Sequence, residues 1–169
     1  MIQKRKIAYE IPLTSYFKTR FQIKAGEIMD NFSIERVWED EHMFEIEVVA
    51  QSKFIHAKAK IYIQTEGIND LALALEPFPK NLNEKYLWEV GECSDVCSFV
   101  SLNFSCEDKC GHIIVEVQMD INDGTPQSKH NCHLFIKTEA GLLNRFGKSL
   151  SLLKERGIGK KITLHQIDE

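Results

Sequence analysis

The sequence of 169 residues lacks the long apolar segments that identify membrane-spanning and exported proteins. No apolar run approaches the roughly 20 residues that a membrane-spanning helix requires. The basic residues at positions 4–6 are followed by Tyr9–Pro12 and Lys18–Arg20, where an export signal would need an apolar stretch. We therefore predict no signal peptide, no membrane association and a cytoplasmic location.

An excess of positive charge is also missing. The chain has 21 Lys and Arg residues against 25 Asp and Glu residues, which gives a formal net charge of −4. Proteins that bind nucleic acids usually present a basic surface to the phosphate backbone. The composition therefore argues against direct nucleic-acid binding.

A short unit occurs twice in the chain. Ile61–Glu66 and Leu134–Glu139 are each an apolar strand ending in Thr-Glu, and each is followed by a glycine and a leucine-rich stretch. Threonine suits the N-cap of a helix, because its hydroxyl accepts a hydrogen bond from an otherwise unpaired backbone N–H. A glutamate just inside favours the positive end of the helix. The unit predicts two halves, each a strand followed by a helix, with Thr65 and Thr138 as N-caps.

Alternation of apolar and polar residues predicts strands from Phe32 onward. It is clearest over residues 44–49 and 54–63, which a polar turn separates. A register that sets Glu45 opposite Lys58 brings the apolar residues together on one face and opposite charges together on the other. Such cross-strand pairs contribute about 0.2–1 kcal/mol each, so we expect a hairpin in this register.

The remaining elements follow the same rules. A first helix is expected over residues 66–76, because Ile68, Leu71 and Leu75 lie on one stripe and Pro77 cannot continue a helix. The other predicted elements are strands over residues 86–90, 99–106, 112–119, 132–137 and 162–165, and a second helix that carries Leu142, Phe146, Leu150 and Leu153 and stops at Gly157.

Strands that arrive as hairpins predict an α+β fold. We expect an antiparallel sheet with two main helices packed on one face, built from the two halves. Residues 32–169 are expected to form a single domain. Residues 1–31 show no sustained period, and we interpret them as an arm or an irregular first layer; their role and the oligomeric state stay open.

Cysteine and histidine residues cluster in the second half of the chain. Zinc takes four thiolate or imidazole ligands, and a group this dense offers them. However, a hairpin with Phe104 opposite Ile113 turns Cys106 to the core and leaves Cys110 at a loop tip. Five cysteines without an export signal favour reduced, inert thiols instead of disulfides. The candidate zinc ligands are Cys106, Cys110, His112 and Cys132.

Acidic residues offer a second candidate site. Those after the first strand and those in the later hairpin loop would form a negative surface, which steers association with a basic groove on a partner. The alternative is a solvated face that only keeps the protein soluble. The candidate binding residues are Glu39, Asp40, Glu41, Glu107 and Asp108.

Several features follow one another in a fixed order: the strand Ala57–Ile63, the helix with Asp70, Leu71 and Leu75, Trp88, the strand Phe99–Phe104, Gly111-His112 before Ile113–Val117, and the Thr138-Glu139 helix with Leu142, Phe146 and Leu150. This order of features, from about Phe44 to Leu153, resembles small bacterial toxin-immunity proteins of the WapI type and related contact-dependent inhibition immunity proteins. The resemblance implies an α+β domain without catalysis that binds a cognate toxin, expected to be basic, and occludes its active site. The alternative is a Cys/His-rich metal-binding protein or enzyme.

Overall fold

A computed structural model describes residues 30–92, 97–125, 127, 129–155 and 157–165. The predicted arm over residues 1–31 lies outside this part of the chain except for its last two residues. Within the described ranges, the α+β class is confirmed. The elements in chain order are β1 (Asn31–Glu39), β2 (Phe44–Gln51), β3 (His56–Ile63), α1 (Thr65–Leu75), β4 (Lys85–Gly91), β5 (Phe99–Cys106), β6 (His112–Ile121), β7 (His130–Glu139), α2 (Ala140–Leu150), a 3-10 helix (Ser151–Lys154) and β8 (Lys161–Thr163).

The strands form two antiparallel sheets of four, in the orders β3-β2-β1-β8 and β4-β5-β6-β7. The hairpin pattern of the sequence predicted one antiparallel sheet, and the division into two sheets differs from that prediction. Its cause is an exchange between the halves. The strand after α1 is β4, which pairs with β5 in the second sheet, and the strand after α2 is β8, which pairs with β1 in the first.

The helices of the two halves correspond to each other, residue by residue, at a spacing of 75 residues. Helix α1 covers residues 65–75 and α2 covers residues 140–150. The four buried positions of each helix correspond one to one at this spacing. They are Ile68, Leu71, Ala72 and Leu75 in α1, and Leu143, Phe146, Gly147 and Leu150 in α2.

The predicted threonine caps are wrong. The N-cap residues are Gln64 and Glu139, and neither side chain forms a capping hydrogen bond. The repeated sequence unit has a spacing of 73 residues, two fewer than the helices. Thr138 therefore lies in β7, buried at the position of Ile63 in β3, because a shift of two keeps a strand residue on the same face.

Both predicted hairpins form, but the register of each differs from the predicted one. Glu45 lies opposite Tyr62 and not Lys58, because the turn is at residues 52–55 and leaves Phe54 exposed. Phe104 lies opposite Val115 and not Ile113. The second shift arises because Cys106 pairs with Ile113, which leaves residues 107–112 to the turn, where the Glu107 N–H donates to the His112 carbonyl.

The first helix agrees closely with its prediction, and the second differs in detail. Leu143, and not Leu142, faces the core. Helix α2 ends at Leu150 and continues as the 3-10 helix, so Gly157 lies beyond it, in the return to β8. The last strand is shorter than predicted, Lys161–Thr163.

One hydrophobic core joins both sheets and both helices. The inner faces of the strands supply alternate apolar side chains, such as Ile46 in β2 and Val115 in β6. Trp88 is buried in β4 and donates its indole N–H to the Gly67 carbonyl at 3.1 Å. Among the helices in the described ranges, none combines the length and the apolar character that crossing a bilayer requires.

Candidate functional site

A β-bulge in β1 turns Trp38 out of the core. Strict alternation after Ile34 and Arg36, which face inward, would point Trp38 inward as well. The pairing with β2 shifts between Arg36 and Trp38, so Trp38 lies opposite the outward-facing Glu45. Bulges re-aim a side chain in this way, and they are frequent next to functional sites. The Trp38 side chain is consequently exposed, at 41%.

Trp38 contacts a second exposed aromatic residue across the sheet. Tyr62 in β3 is 58% exposed, and its ring centroid lies 5.8 Å from that of Trp38 in an edge-to-face arrangement. The strands β1 and β3 both flank β2, so about 10 Å of sheet separates their backbones. The two rings therefore lean towards each other over β2, where Glu45 lies opposite both residues.

A groove of about 730 Å³ adjoins the aromatic pair. Outward side chains of β2 and β3, including Tyr62, form one side, and the ends of β4 and β6 form the other. Gly91 permits the close approach of these parts. Its φ is +87°, and a Cβ there would lie 2.2 Å from the Ser98 carbonyl oxygen and 3.2 Å from Ile61. Ligand pockets commonly have volumes of about 300–1,000 Å³, so the groove is large enough for a partner's side chains.

Charges of both signs line the groove. The Lys58 ammonium pairs with the Glu47 carboxylate at 3.2 Å. Within the described part of the chain, the Glu45 carboxylate has no hydrogen-bond or ion-pair partner. Glu45 is half-buried and lies opposite both members of the aromatic pair. We define the Trp38–Tyr62 face as Trp38, Glu45, Glu47, Lys60 and Tyr62.

Three of the predicted binding acids directly follow Trp38: Glu39 ends β1, and Asp40 and Glu41 lie in the turn after it. Glu39 is engaged within the protein by Arg36, at 2.8 Å. Asp40 accepts backbone N–H bonds from Met43 and His42, and these bonds lower the pKa of its carboxyl group. Glu41 is exposed. Asp40 and Glu41 thus extend the Trp38–Tyr62 face with negative charge, whereas Glu39 is held by its internal contacts.

The other two predicted acids lie elsewhere. Glu107 pairs with Lys137 at 3.1 Å, and the Lys137 backbone N–H contacts Asp30, at the start of β1. The nine residues of β1, roughly 27 Å long, separate this point from Glu39. Asp108, in the same loop, contacts His112 at the start of β6 at 2.6 Å. The five acids therefore do not form one surface, and their binding role remains a prediction.

The four candidate zinc ligands are not brought together. Cys132 lies opposite Met119, and His112 lies at the other end of β6, roughly 23 Å away. Cys106 packs against the core and Cys110 is exposed. Among the residues that the structure describes, no three His, Cys, Asp or Glu side chains are grouped to hold a metal ion.

The aromatic pair of Trp38 and Tyr62 was not predicted from the sequence. Tyr62 carried a usable signal, because it is an aromatic residue at an outward position of an alternating strand. Trp38 carried none, because its place in the pattern predicts burial and only the bulge exposes it. From the Cys/His cluster, Cys97 and His130 line the groove.

No family model, no curated protein and no solved structure matches this chain.

Proposed function

We propose that this protein is a cytoplasmic, non-enzymatic binding protein that neutralises a cognate bacterial toxin by occluding its active site. The contact surface in this proposal is the Trp38–Tyr62 face with the adjoining groove. One observation carries it: a bulge exposes Trp38, and its ring pairs with that of Tyr62 beside a cavity of about 730 Å³.

Aromatic residues of this kind suit a protein interface. Trp and Tyr are enriched among the few residues that dominate binding energy, and they pack best in a pocket that excludes water. Their rings supply a large apolar area with few rotatable bonds. The acids Asp40, Glu41 and Glu45 beside them complement a basic partner and favour rapid association.

The test uses the product of the adjacent upstream reading frame as the toxin. Co-expression should restore growth, and the purified toxin should bind this protein in a one-to-one complex. The variant Trp38→Ala/Tyr62→Ala should bind about 100-fold more weakly, because truncation of two anchors at the centre of an interface costs several kcal/mol. Absence of any neutralisation or binding would overturn the proposal.

A matched control lies on the outer face of the second sheet. Leu87 and Phe135 are 56% and 52% exposed, similar to Trp38 and Tyr62. The variant Leu87→Ala/Phe135→Ala should bind the toxin as the wild type does. Equal losses in both double variants would show that the Trp38–Tyr62 face is not the contact surface.

A second candidate function is a metal-binding protein or enzyme. Cys97 and His130 support it, because both line the same groove. Zinc content of the purified whole chain separates the candidates. Stoichiometric zinc that is lost in Cys97→Ser or His130→Ala would favour the second function, and protein without zinc would count against a zinc site in the groove.

A further inference from the structure

We propose that the Trp38–Tyr62 face binds an arginine side chain of the partner, with Glu45 as its counter-ion. This inference deepens the proposed function and rests on it. It concerns the chemistry that the site recognises, so it can be tested with a peptide in place of the toxin.

The first support is the position of Glu45 in the sheet. Trp38, Glu45 and Tyr62 form one row across β1, β2 and β3 on the outer face. The two rings meet over β2, and Glu45 lies in the same row beside them with a half-buried side chain. A cation that approaches this row from outside meets a negative charge beside two exposed aromatic rings.

The second support is the state of the neighbouring charges. Glu47, in the next row, already pairs with Lys58 at 3.2 Å. Lys60 lies opposite Glu47 and not opposite Glu45. No described residue neutralises Glu45, and Glu41 in the adjacent turn adds negative charge. The row therefore complements a positive group from outside.

Guanidinium fits this row better than ammonium does. It is planar, it donates two parallel N–H groups to a carboxylate, and it stacks on aromatic rings within about 6 Å. An ammonium group is more strongly hydrated and offers no flat face. The inner face of the same sheet already contains this combination, because the Arg36 guanidinium lies 4.2 Å from the Phe44 ring centroid and pairs with Glu39.

The probe is a tetra-arginine peptide, titrated into the whole chain and followed by the indole N–H resonances in NMR spectra. Trp38 reports on the site, and buried Trp88 is the internal reference. We expect shifts at Trp38 and not at Trp88. The variant Glu45→Gln should weaken binding about tenfold, and a tetra-lysine peptide should bind more weakly than tetra-arginine.

The matched control is Glu41→Gln, which removes one exposed acid from the neighbouring turn. It should change the affinity by about twofold or less, as expected for a solvated charge. Equal effects of Glu45→Gln and Glu41→Gln would overturn the inference, because binding would then depend only on general negative charge. Equal affinity for the arginine and lysine peptides would overturn the choice of guanidinium.

The toxin separates this inference from the proposed function. If the toxin binds wild type and Glu45→Gln equally, the inference fails and the function stands. If tetra-arginine binds in a Glu45-dependent manner and the toxin does not bind at all, the site stands and the function fails.

Discussion

Arg36 and Glu39 form an ion pair inside the protein, with 2.8 Å between the guanidinium and the carboxylate and with 6% and 24% of the side chains exposed. Arg36 also donates to the carbonyl oxygen of Leu153 at 2.9 Å. Glu39 accepts the Gly157 backbone N–H at 3.1 Å. The pair therefore holds the segment between α2 and β8 against β1, where the second half contributes its strand to the first sheet.

Loss of the Glu39 charge should destabilise the fold. Glu39→Gln leaves the buried Arg36 without its counter-ion, and uncompensated buried charges are strongly unfavourable. Glu39 is partly exposed, so solvent reduces the effect, and we expect the free energy of unfolding to fall by about 1–2 kcal/mol. Urea denaturation measures this change. Glu41→Gln is the control and should stay within about 0.5 kcal/mol of the wild type; equal stability of both variants would contradict the structural role of Glu39.

The second prediction concerns the close contact between helices α1 and α2 at Gly147. A Cβ on Gly147 would lie 2.7 Å from the Glu76 backbone nitrogen and 2.8 Å from the Leu75 Cβ. Gly147→Ala should therefore lower the free energy of unfolding by about 1–3 kcal/mol, although alanine by itself favours a helix. The expected loss comes from separation of α1 and α2.

Gly141 is the matched control for Gly147 in the same helix. A Cβ there meets no atom within 4 Å. Gly141→Ala should raise the free energy of unfolding by about 0.5–1 kcal/mol, because alanine has the higher helix propensity. Thermal denaturation compares the two variants, and stabilisation by both would contradict the close helix contact.

Alternation in the sequence predicted which face each strand residue occupies, and much less about which residues pair. Ile46 and Ile61 are both buried and lie directly opposite each other, whereas the register with Glu45 opposite Lys58 would set Ile46 opposite Ala57. A shift by an even number of residues preserves both faces, so the pattern cannot distinguish the registers. The length of the turn distinguishes the two registers. The sequence suggested a turn that was too short, because Phe54 is apolar and was assigned to the strand, whereas it is exposed in the turn.

The exchange of strands between halves was not predictable for a related reason. The sequence indicates strands after α1 and α2, but the alternation within β4 or β8 specifies only a buried face and not the sheet that the strand joins. The long-range hydrogen bonds of Arg36 with the segment after α2 hold β8 beside β1. Arg36 is a polar residue in an inward position, and the pattern of apolar residues does not predict its contacts. Trp38 escaped prediction because the neighbouring bulge reverses its direction.

The cysteines should differ in reactivity. Burial raises the pKa of the Cys132 thiol, and burial together with Glu84 and Asp108 raises that of Cys106. The thiolate is the reactive species, so both should react with iodoacetamide about tenfold more slowly than exposed Cys110. Timed alkylation followed by peptide mass spectrometry measures the order. Rapid alkylation of Cys106 or Cys132 would contradict their description as inert, packed thiols.

The Asp108–His112 pair should make the β5–β6 hairpin sensitive to pH. The hydrogen bond to Asp108 raises the pKa of His112 above its ordinary 6.5, and the bond to His112 lowers the pKa of Asp108 below its ordinary 3.8. The stabilisation from His112 is therefore complete below pH 6.5 and is lost as the pH rises through its raised pKa. That from Asp108 is complete above pH 3.8 and is lost as the pH falls through its lowered pKa.

The pair consequently contributes most between these two limits. NMR titration of the His112 ring should give a pKa above 6.5 in the wild type, and Asp108→Asn should lower it, because the nearby carboxylate charge and its hydrogen bond are removed. Glu107→Gln is the control, since Glu107 pairs with Lys137 and has only a minor effect on His112. An unchanged His112 pKa in Asp108→Asn would show that the 2.6 Å contact does not persist in solution.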